Sequence, residues 1–342
     1  MTPPPIPVIR VEGTHREAGR QVGEATAQAV RDRVGLLGDA ALRAAEPYRR
    51  VTAEELPWVV DELDGVAEAA GVDPLAVFAC SVEEIYDLYP GATAEVGTGC
   101  SDMVARAPAS RDGKLWVGHN NDLSAEEERD VVAVEWRVAG DPVVFTIGIG
   151  PWLSVGFNSA GLALTGNEVS PNDNRVGIPR LLQVRDIVRR PTLDDAVASA
   201  LHPRRASSYN NVLSHRDGGV VNVEGSATDA ELVRPGAEGT LAHTNHYVTE
   251  RMKAYEADTE YAARSEVRYR RALSWLAPGG ITPDLMRAAL SDHENGPDSL
   301  CRHPQAGSQT KTIFWCIANV TDGKLLYGRG NPCDSTEQRY EF

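Results

Sequence analysis

The sequence predicts an α+β protein of stacked layers, with helices outside and antiparallel sheets between them. Three observations carry this reading. Helical periodicity dominates the first stretch of about 90 residues, strand-like runs separated by turn residues fill the middle, and helical segments return before a terminal hairpin. The chain has 342 residues, 42% hydrophobic and 24% charged, which is enough to bury a full core. No repeat, low-complexity tract or long linker divides it, so residues 1–342 read as a single domain.

The elements follow in order. After a proline-rich tip, "VIRVEGTHREAGRQVGEATAQAVRDRVGLL" begins as a short strand and becomes an amphipathic helix, with Thr14 and Glu17 spaced as a capping box. Helical periodicity continues through "TAEELPWVVDELDGVAEAAG" and "DPLAVFACSVEEIYDLY", punctuated by Gly71 and Pro74. At "PGATAEVGTGC" helix formers give way to glycine, threonine and alanine. The runs "KLWVGHNND", "DVVAVEWRVAGDPVVFTIGIG", "WLSVGFNSAGLALTGNEV" and "GGVVNVEGSA" then alternate or run apolar, as strands do. Helices return at "IPRLLQVRDIVRR", "TLDDAVASALH", "SEVRYRRALSWLA" and "ITPDLMRAALSDH". The final "TKTIFWCIANVTDGKLLYGRG" reads as a hairpin turning at Asp322 and Gly323.

Charge narrows the partners. With 49 acidic against 34 basic residues, a net charge of -15 opposes binding to nucleic acid or an anionic membrane, leaving a small molecule or another protein. No segment approaches the ~18 consecutive apolar residues of a membrane span, and "MTPPPIPVIR" lacks the apolar core of a signal peptide, so a cytoplasmic protein is expected. The five cysteines, Cys80, Cys100, Cys301, Cys316 and Cys333, are odd in number, widely spread and without a C-x-x-C pair. This argues against a disulfide framework or a zinc knuckle.

Chemistry concentrates at a few places. In "GTGC", Gly99 carries no side chain to shield its carbonyl, so the thiol of Cys100 could attack that carbonyl and shift the chain from nitrogen to sulfur. Hydrolysis would then leave Cys100 with a free α-amino group, whose pKa of about 7.7 to 8.0 suits a general base beside its own thiol. The same residues also suit a tight turn around a buried cysteine. In "GHNND", Asn120, Asn121 and Asp122 are poor strand formers that commonly mark a turn, while a carboxylate there would hold and tune a new amino terminus and the amides would orient a substrate carbonyl. In "LAHTNHYV", an extended or looped run, Asn245 can donate to a developing oxyanion, a bond worth about 3 kcal/mol of barrier. Histidines there lack a metal-binding pattern, and no metal or other cofactor is expected. "GSQTKTIFW" places Ser308 and Lys311 ahead of an apolar strand, and Arg268 and Arg302 read as surface or ion-pair residues.

Together, "GTHREAGRQVGE", the Gly-Cys junction, "GHNND", "NSAGLALTGN", "HTNH" and "TIFWCIANVTDGKLLYGRGNPC" resemble, in order and spacing, the acyl-CoA:6-aminopenicillanate (isopenicillin-N) acyltransferase family of N-terminal-nucleophile (Ntn) hydrolases. The resemblance implies a four-layer αββα fold and autocatalytic cleavage between Gly99 and Cys100. The products would be a small helical chain, 1–99, and a large catalytic chain, 100–342, held together as a heterodimer that could oligomerise further. It implies Cys100 as nucleophile, Asp122 as active-site aspartate, Asn245 as oxyanion amide and Ser308 as a maturation serine. Where the penicillin-type enzyme has arginine after that serine, this chain has Gln309, which cannot hold a carboxylate bidentately, so the penicillin nucleus itself is not the expected substrate.

The expected function is a self-processing amidase or acyltransferase acting on the C–N bond of a small acylated amine or peptide-like metabolite, through an acyl thioester on Cys100. Hydrolysis is favoured over transfer to a second amine, because water needs no second binding site. The alternatives are an acyltransferase drawing on a CoA thioester or amide, an uncleaved papain-like thiol hydrolase using His119 or His243 as base, and a non-catalytic binding protein of the same fold.

Overall fold

The computed structural model describes residues 3–89, 99–305 and 308–342. The stretch 90–98, where the texture of the sequence changes, therefore lies outside the described residues. In the amino-terminal part, β1 (Val8–Gly13) leads into α1 (His15–Val34), α2 (Asp39–Glu55), α3 (Pro57–Ala70) and α4 (Pro74–Ala79). The expected capping box opens α1: the Thr14 hydroxyl accepts from the Glu17 N–H, and the Glu17 carboxylate accepts from the Thr14 N–H. Gly71 ends α3 in the left-handed conformation, φ 68°, which a residue with a side chain adopts only under strain. Glycines also let α1 and α3 touch backbone to backbone, since a Cβ on Gly19 would lie 2.0 Å from the Glu62 carbonyl oxygen.

The sheet-rich middle contains β2 (Gly99–Ala105), β3 (Trp116–Ser124), β4 (Val131–Val138), β5 (Val144–Ile149), β6 (Trp152–Asn158) and β7 (Leu162–Asn167). After α5 (Arg180–Val188) and α6 (Leu193–Ala200) come β8 (Asn210–His215), β9 (Val220–Gly225), β10 (Ala230–Val233) and β11 (Thr240–His243). The chain closes with α7 (Thr259–Leu276), α8 (Pro283–Leu290), β12 (Thr310–Asn319), β13 (Lys324–Arg329) and β14 (Gln338–Glu341). β12 and β13 form the expected hairpin, with Gly323 at φ 68° in its turn.

These strands form an eight-stranded sheet, ordered β1-β4-β5-β6-β7-β8-β9-β10, and a six-stranded sheet, ordered β11-β2-β3-β12-β13-β14. All pairings are antiparallel except that of β1 with β4, which is parallel, at the edge of the larger sheet. Among the described residues, three large apolar cores stack through the molecule, beside a small cluster of Val169, Tyr247 and Met252. Helices α1 to α6 cover one face of the larger sheet around Val134, Trp136 and Leu164. Phe145, Ile147 and Val155 of that sheet meet Val104, Val117 and Phe314 of the other. Met103, Trp116 and Trp315, on the opposite face of the smaller sheet, pack under Ala272, Met286 and Leu290 of α7 and α8. The layers therefore run helix, sheet, sheet, helix, because each sheet has two apolar faces and each helix one apolar stripe.

Candidate active site

Strand β2 begins at the Gly99-Cys100 junction and lies between β11 and β3. Its register with β3 pairs Gly99 with Asp122 and Cys100 with Asn121, and β12 places Thr312 opposite Asp122. Since strand side chains alternate between faces, these pairs point to opposite sides of the smaller sheet. Cys100 and Asn121 share the face of Val104 and Val117, toward the other sheet. Asp122 and Thr312 face the α7 and α8 side.

The thiol is buried, with the Asn121 side-chain amide donating to its sulfur at 3.2 Å. Burial pushes the Cys100 thiol well above its ordinary pKa, and the carboxylates of Asp122, Asp102 and Glu168 add to the rise. In the uncut chain the sulfur is therefore protonated at neutral pH and needs a base. The Cys100 N–H donates to Asn245 Oδ1 at 2.8 Å, and Arg268 Nη2 donates to the same oxygen at 2.6 Å. Asn245 Nδ2 donates to the Glu168 carbonyl at 3.0 Å, and the Asn245 backbone N–H is anchored by Ser265 Oγ at 2.6 Å. The Asn245 oxygen, rather than its amide nitrogen, thus faces Cys100.

Asp122 is fully buried and accepts from Thr312 Oγ1 at 2.7 Å. Burial raises its carboxyl, opposed by the Arg302 and Arg268 guanidinium groups and by the Thr312 bond. Both arginines are themselves buried, at 1% and 2% exposure, so the expectation of surface residues is corrected. A guanidinium carries its charge inside a protein when carboxylates and hydrogen bonds surround it; the Asp122 charge acts on both, and Arg302 also lies 3.9 Å from Asp298. The absence of a side chain at Gly99 makes room for this arrangement, because a Cβ there would stand 2.7 Å from Arg268 Nη2 and 2.9 Å from Asn245 Oδ1.

The three residues Asn120, Asn121 and Asp122 do not form a turn but continue β3 in the middle of the sheet. Tertiary bonds override their poor strand propensity. Asn120 Nδ2, for instance, donates to the carbonyls of both Leu290 and Leu300 at 2.8 Å. Ser308 and Gln309 lie just before β12. The Ser308 hydroxyl accepts from Thr310 N–H and the Gln309 carbonyl from Ala125 N–H, while Lys311 pairs with Glu128 at 2.5 Å. The two histidines weighed as bases have other partners. His119 Nδ1 lies 2.9 Å from Asp102, and His243 lies between Glu224 at 2.7 Å and Asn167 at 3.0 Å.

Sequence reasoning did not find Thr312, Ser265 or Glu168 as site residues. Thr312 could have been found by pairing the strand of "TKTIFW" against "GHNND". Ser265 and Glu168 leave no local pattern. Beyond Glu168, Arg180 donates to Glu168 Oε1 at 2.5 Å and to Glu83 Oε2 at 2.6 Å, so the helical first part of the chain reaches the neighbourhood of the site.

Two face-packed sheets between helical layers, with a buried cysteine following glycine at the start of a central strand, define the αββα sandwich expected of the Ntn hydrolases. The sequence profile of the acyl-coenzyme A:6-aminopenicillanic acid acyl-transferase family matches residues 109–334, about two thirds of the chain, and the protein belongs to that family. Similar solved structures include a mutant conjugated bile acid hydrolase from Clostridium perfringens, at 10% identity over 71% of this chain and 97% of that one, TM-score 0.47. Penicillin V acylase from Agrobacterium tumefaciens is similar at 11% identity over 67% and 83% of the two chains, TM-score 0.42. No curated protein sequence matches the chain significantly. Among the described residues no helix is long and apolar enough to cross a membrane.

Proposed function

We propose that the protein is a self-processing N-terminal-cysteine amidase or acyltransferase that cuts itself between Gly99 and Cys100 and then works on the amide of a small acylated amine. The observation that carries this reading is the junction itself. The N–H that would become the new amino group is already held by Asn245 Oδ1 at 2.8 Å, and the thiol beside it already receives the Asn121 amide at 3.2 Å. A buried N–H needs an acceptor in any case, but a side-chain acceptor 145 residues away together with a side-chain donor on the thiol favours a site over an inert turn.

In the proposed maturation the Cys100 sulfur attacks the Gly99 carbonyl, the C–N bond breaks as the C–S bond forms, and the nitrogen keeps its hydrogen and gains one as the amine. Water then splits the thioester, giving the Gly99 carboxylate and the free thiol. In the proposed turnover the amine accepts the thiol proton, sulfur attacks the substrate carbonyl, and the leaving amine takes the proton, so that an acyl thioester remains on Cys100. Asn121 Nδ2, the side-chain donor on the sulfur, is placed to meet the oxyanion, while Asn245 Oδ1 orients the amine. Asn245 could serve the oxyanion itself only by releasing the Glu168 carbonyl. Asp122 balances the charges of Arg268 and Arg302 behind the junction. Water completes hydrolysis; a second amine completes transfer.

Intact-mass analysis of the purified chain tests this reading. Fragments 1–99 and 100–342 are expected from the wild type, with Cys100→Ala remaining full length. A full-length wild type that turns over acyl amides would instead support the uncleaved thiol hydrolase, and a full-length chain inert to a thiol-reactive acyl probe would support a binding protein.

A further inference from the structure

Away from the proposed active site, four side chains that sequence spacing keeps apart converge on one point. His293 follows α8, Cys301 and His303 lie in the segment leading to β12, and Cys333 sits in the turn after β13. One ligand atom from each lies within 4.8 Å of all the others. The separations are 3.1 Å between the two histidine Nε2 atoms, 3.7 Å between the two sulfurs, and 3.5 and 3.7 Å from His303 Nε2 to Cys333 and Cys301. A zinc ion with Zn–N near 2.05 Å and Zn–S near 2.3 Å demands tetrahedral edges of about 3.3, 3.8 and 3.6 Å for these three kinds of pair. The match covers each kind of edge. Two sulfurs at 3.7 Å are, by contrast, far beyond the ~2.05 Å of a disulfide.

We propose that His293, Cys301, His303 and Cys333 bind one zinc ion in a closed, tetrahedral S2N2 site. Two thiolates and two neutral imidazoles suit zinc, and four protein ligands leave no position open for substrate, so the site is structural. On binding, each thiol releases its proton to solvent and the ion's two charges are neutralised. A supporting shell is present: Asn331 Nδ2 donates to Cys301 Sγ at 3.3 Å and to the Arg302 carbonyl at 2.6 Å, and the Cys301 N–H is fixed by the Asp292 carbonyl at 2.9 Å. The exposure of His293, His303 and Cys333 gives the ion an entry path. The zinc would staple the loop after α8 to the turn after β13. Arg302, between two of the ligands and bonded through its N–H to Thr312 Oγ1 at 3.0 Å, would be held against Asp122 by the same staple. The spacing argument against a zinc knuckle does not bear on this site, whose ligands come from three separate segments rather than from a C-x-x-C pair.

Elemental analysis of the full chain purified without chelator is expected to give about one zinc per chain, falling below about one tenth in Cys333→Ser. Replacing zinc by cobalt(II) is expected to give the intense visible bands of a tetrahedral thiolate complex, and chelation to lower the melting temperature. His293→Ala, a second exposed change, serves if Cys333→Ser fails to fold. The proposal is overturned if a cooperatively melting wild type binds no zinc in equilibrium dialysis, if Cys333→Ser keeps stoichiometric zinc, or if peptide mapping under non-reducing conditions joins Cys301 to Cys333.

Discussion

Gly99→Ala adds one methyl group at the proposed scissile bond. That methyl carbon would stand 2.7 Å from Arg268 Nη2 and 2.9 Å from Asn245 Oδ1, where ordinary contact begins at 3.4 Å, so the guanidinium must retreat by about 0.7 Å. Arg268 is almost fully buried and its Nη2 is committed to Asn245 at 2.6 Å, the same oxygen that holds the Cys100 N–H. Retreat therefore strains or breaks a charge-assisted bond worth about 1.5 to 3 kcal/mol. If that strain falls on the cleavage transition state, self-cleavage slows by about tenfold to a hundredfold. The assay is the fraction of fragment 100–342 against time, by intact mass, in freshly purified variant and wild type. Cleavage of Gly99→Ala at the wild-type rate would refute the claim that the Arg268 and Asn245 contacts set the geometry of the junction.

Asp122→Asn keeps the shape and an acceptor for Thr312 but removes the negative charge facing two buried guanidinium groups, and a loss of about 3 kcal/mol in urea unfolding is expected. An unchanged midpoint would mean that other groups carry the balance. His246, 2.9 Å from Ser265 Oγ, is held neutral by burial and by the nearby His243, which together depress its pKa from 6.5 to about 3. The unfolded chain takes up that proton below pH 6.5 and the folded chain does not, so stability is full above that pH and falls as pH drops toward 3. Between pH 7 and pH 5 this group costs about 2 kcal/mol, a slope that His246→Asn should remove. Glu224, brought down to about 2 as the His243 bond and charge overcome its burial, adds its own loss only below about pH 4.5, outside that window. An identical pH slope in wild type and variant would exclude His246 as its source.

The layered fold was legible because its signals are local. The Thr14 capping box, the Gly71 helix stop and the Asp322-Gly323 turn each need only a few neighbouring residues, and each forms as read. The parallel pairing of β1 with β4 and the short edge strands β10 and β14 were not legible, since a partner strand leaves no mark on the sequence of an edge. At the site, Asn121 and Asn245 both contact Cys100, whereas Asp122 lies on the other face of the smaller sheet. "HNND" looks like a turn by propensity, yet central-strand hydrogen bonds and the Leu290 and Leu300 carbonyls hold it extended, as the strand-like run "KLWVGHNND" also suggests. Of the surface and ion-pair readings of Arg268 and Arg302, the surface one failed for a related reason. Charge in a sequence predicts exposure unless its partner is visible, and Asp122 is 146 residues from one and 180 from the other.

That buried charge bears directly on how one cysteine could serve two stages of chemistry. In the intact chain, burial and the carboxylates of Asp122, Asp102 and Glu168 hold the Cys100 thiol protonated, so the sulfur is a poor nucleophile toward any foreign carbonyl that reaches it. Its neighbouring nitrogen is then an amide and can accept no proton. On the proposed reading, cleavage replaces that amide with an amine at the same position, within reach of Asn245 Oδ1, and the carboxylates that opposed a thiolate now favour an ammonium. The field that restrains the sulfur in the intact chain would then draw its proton onto the adjacent nitrogen of a cleaved one. Arg268, donating to the same Asn245 oxygen, would work against that ammonium and make it readier to surrender its proton to the leaving group. On the proposed reading, breaking one backbone bond would change which atom can hold the proton, so that a cysteine without a histidine bonded to its sulfur would suffice at this junction.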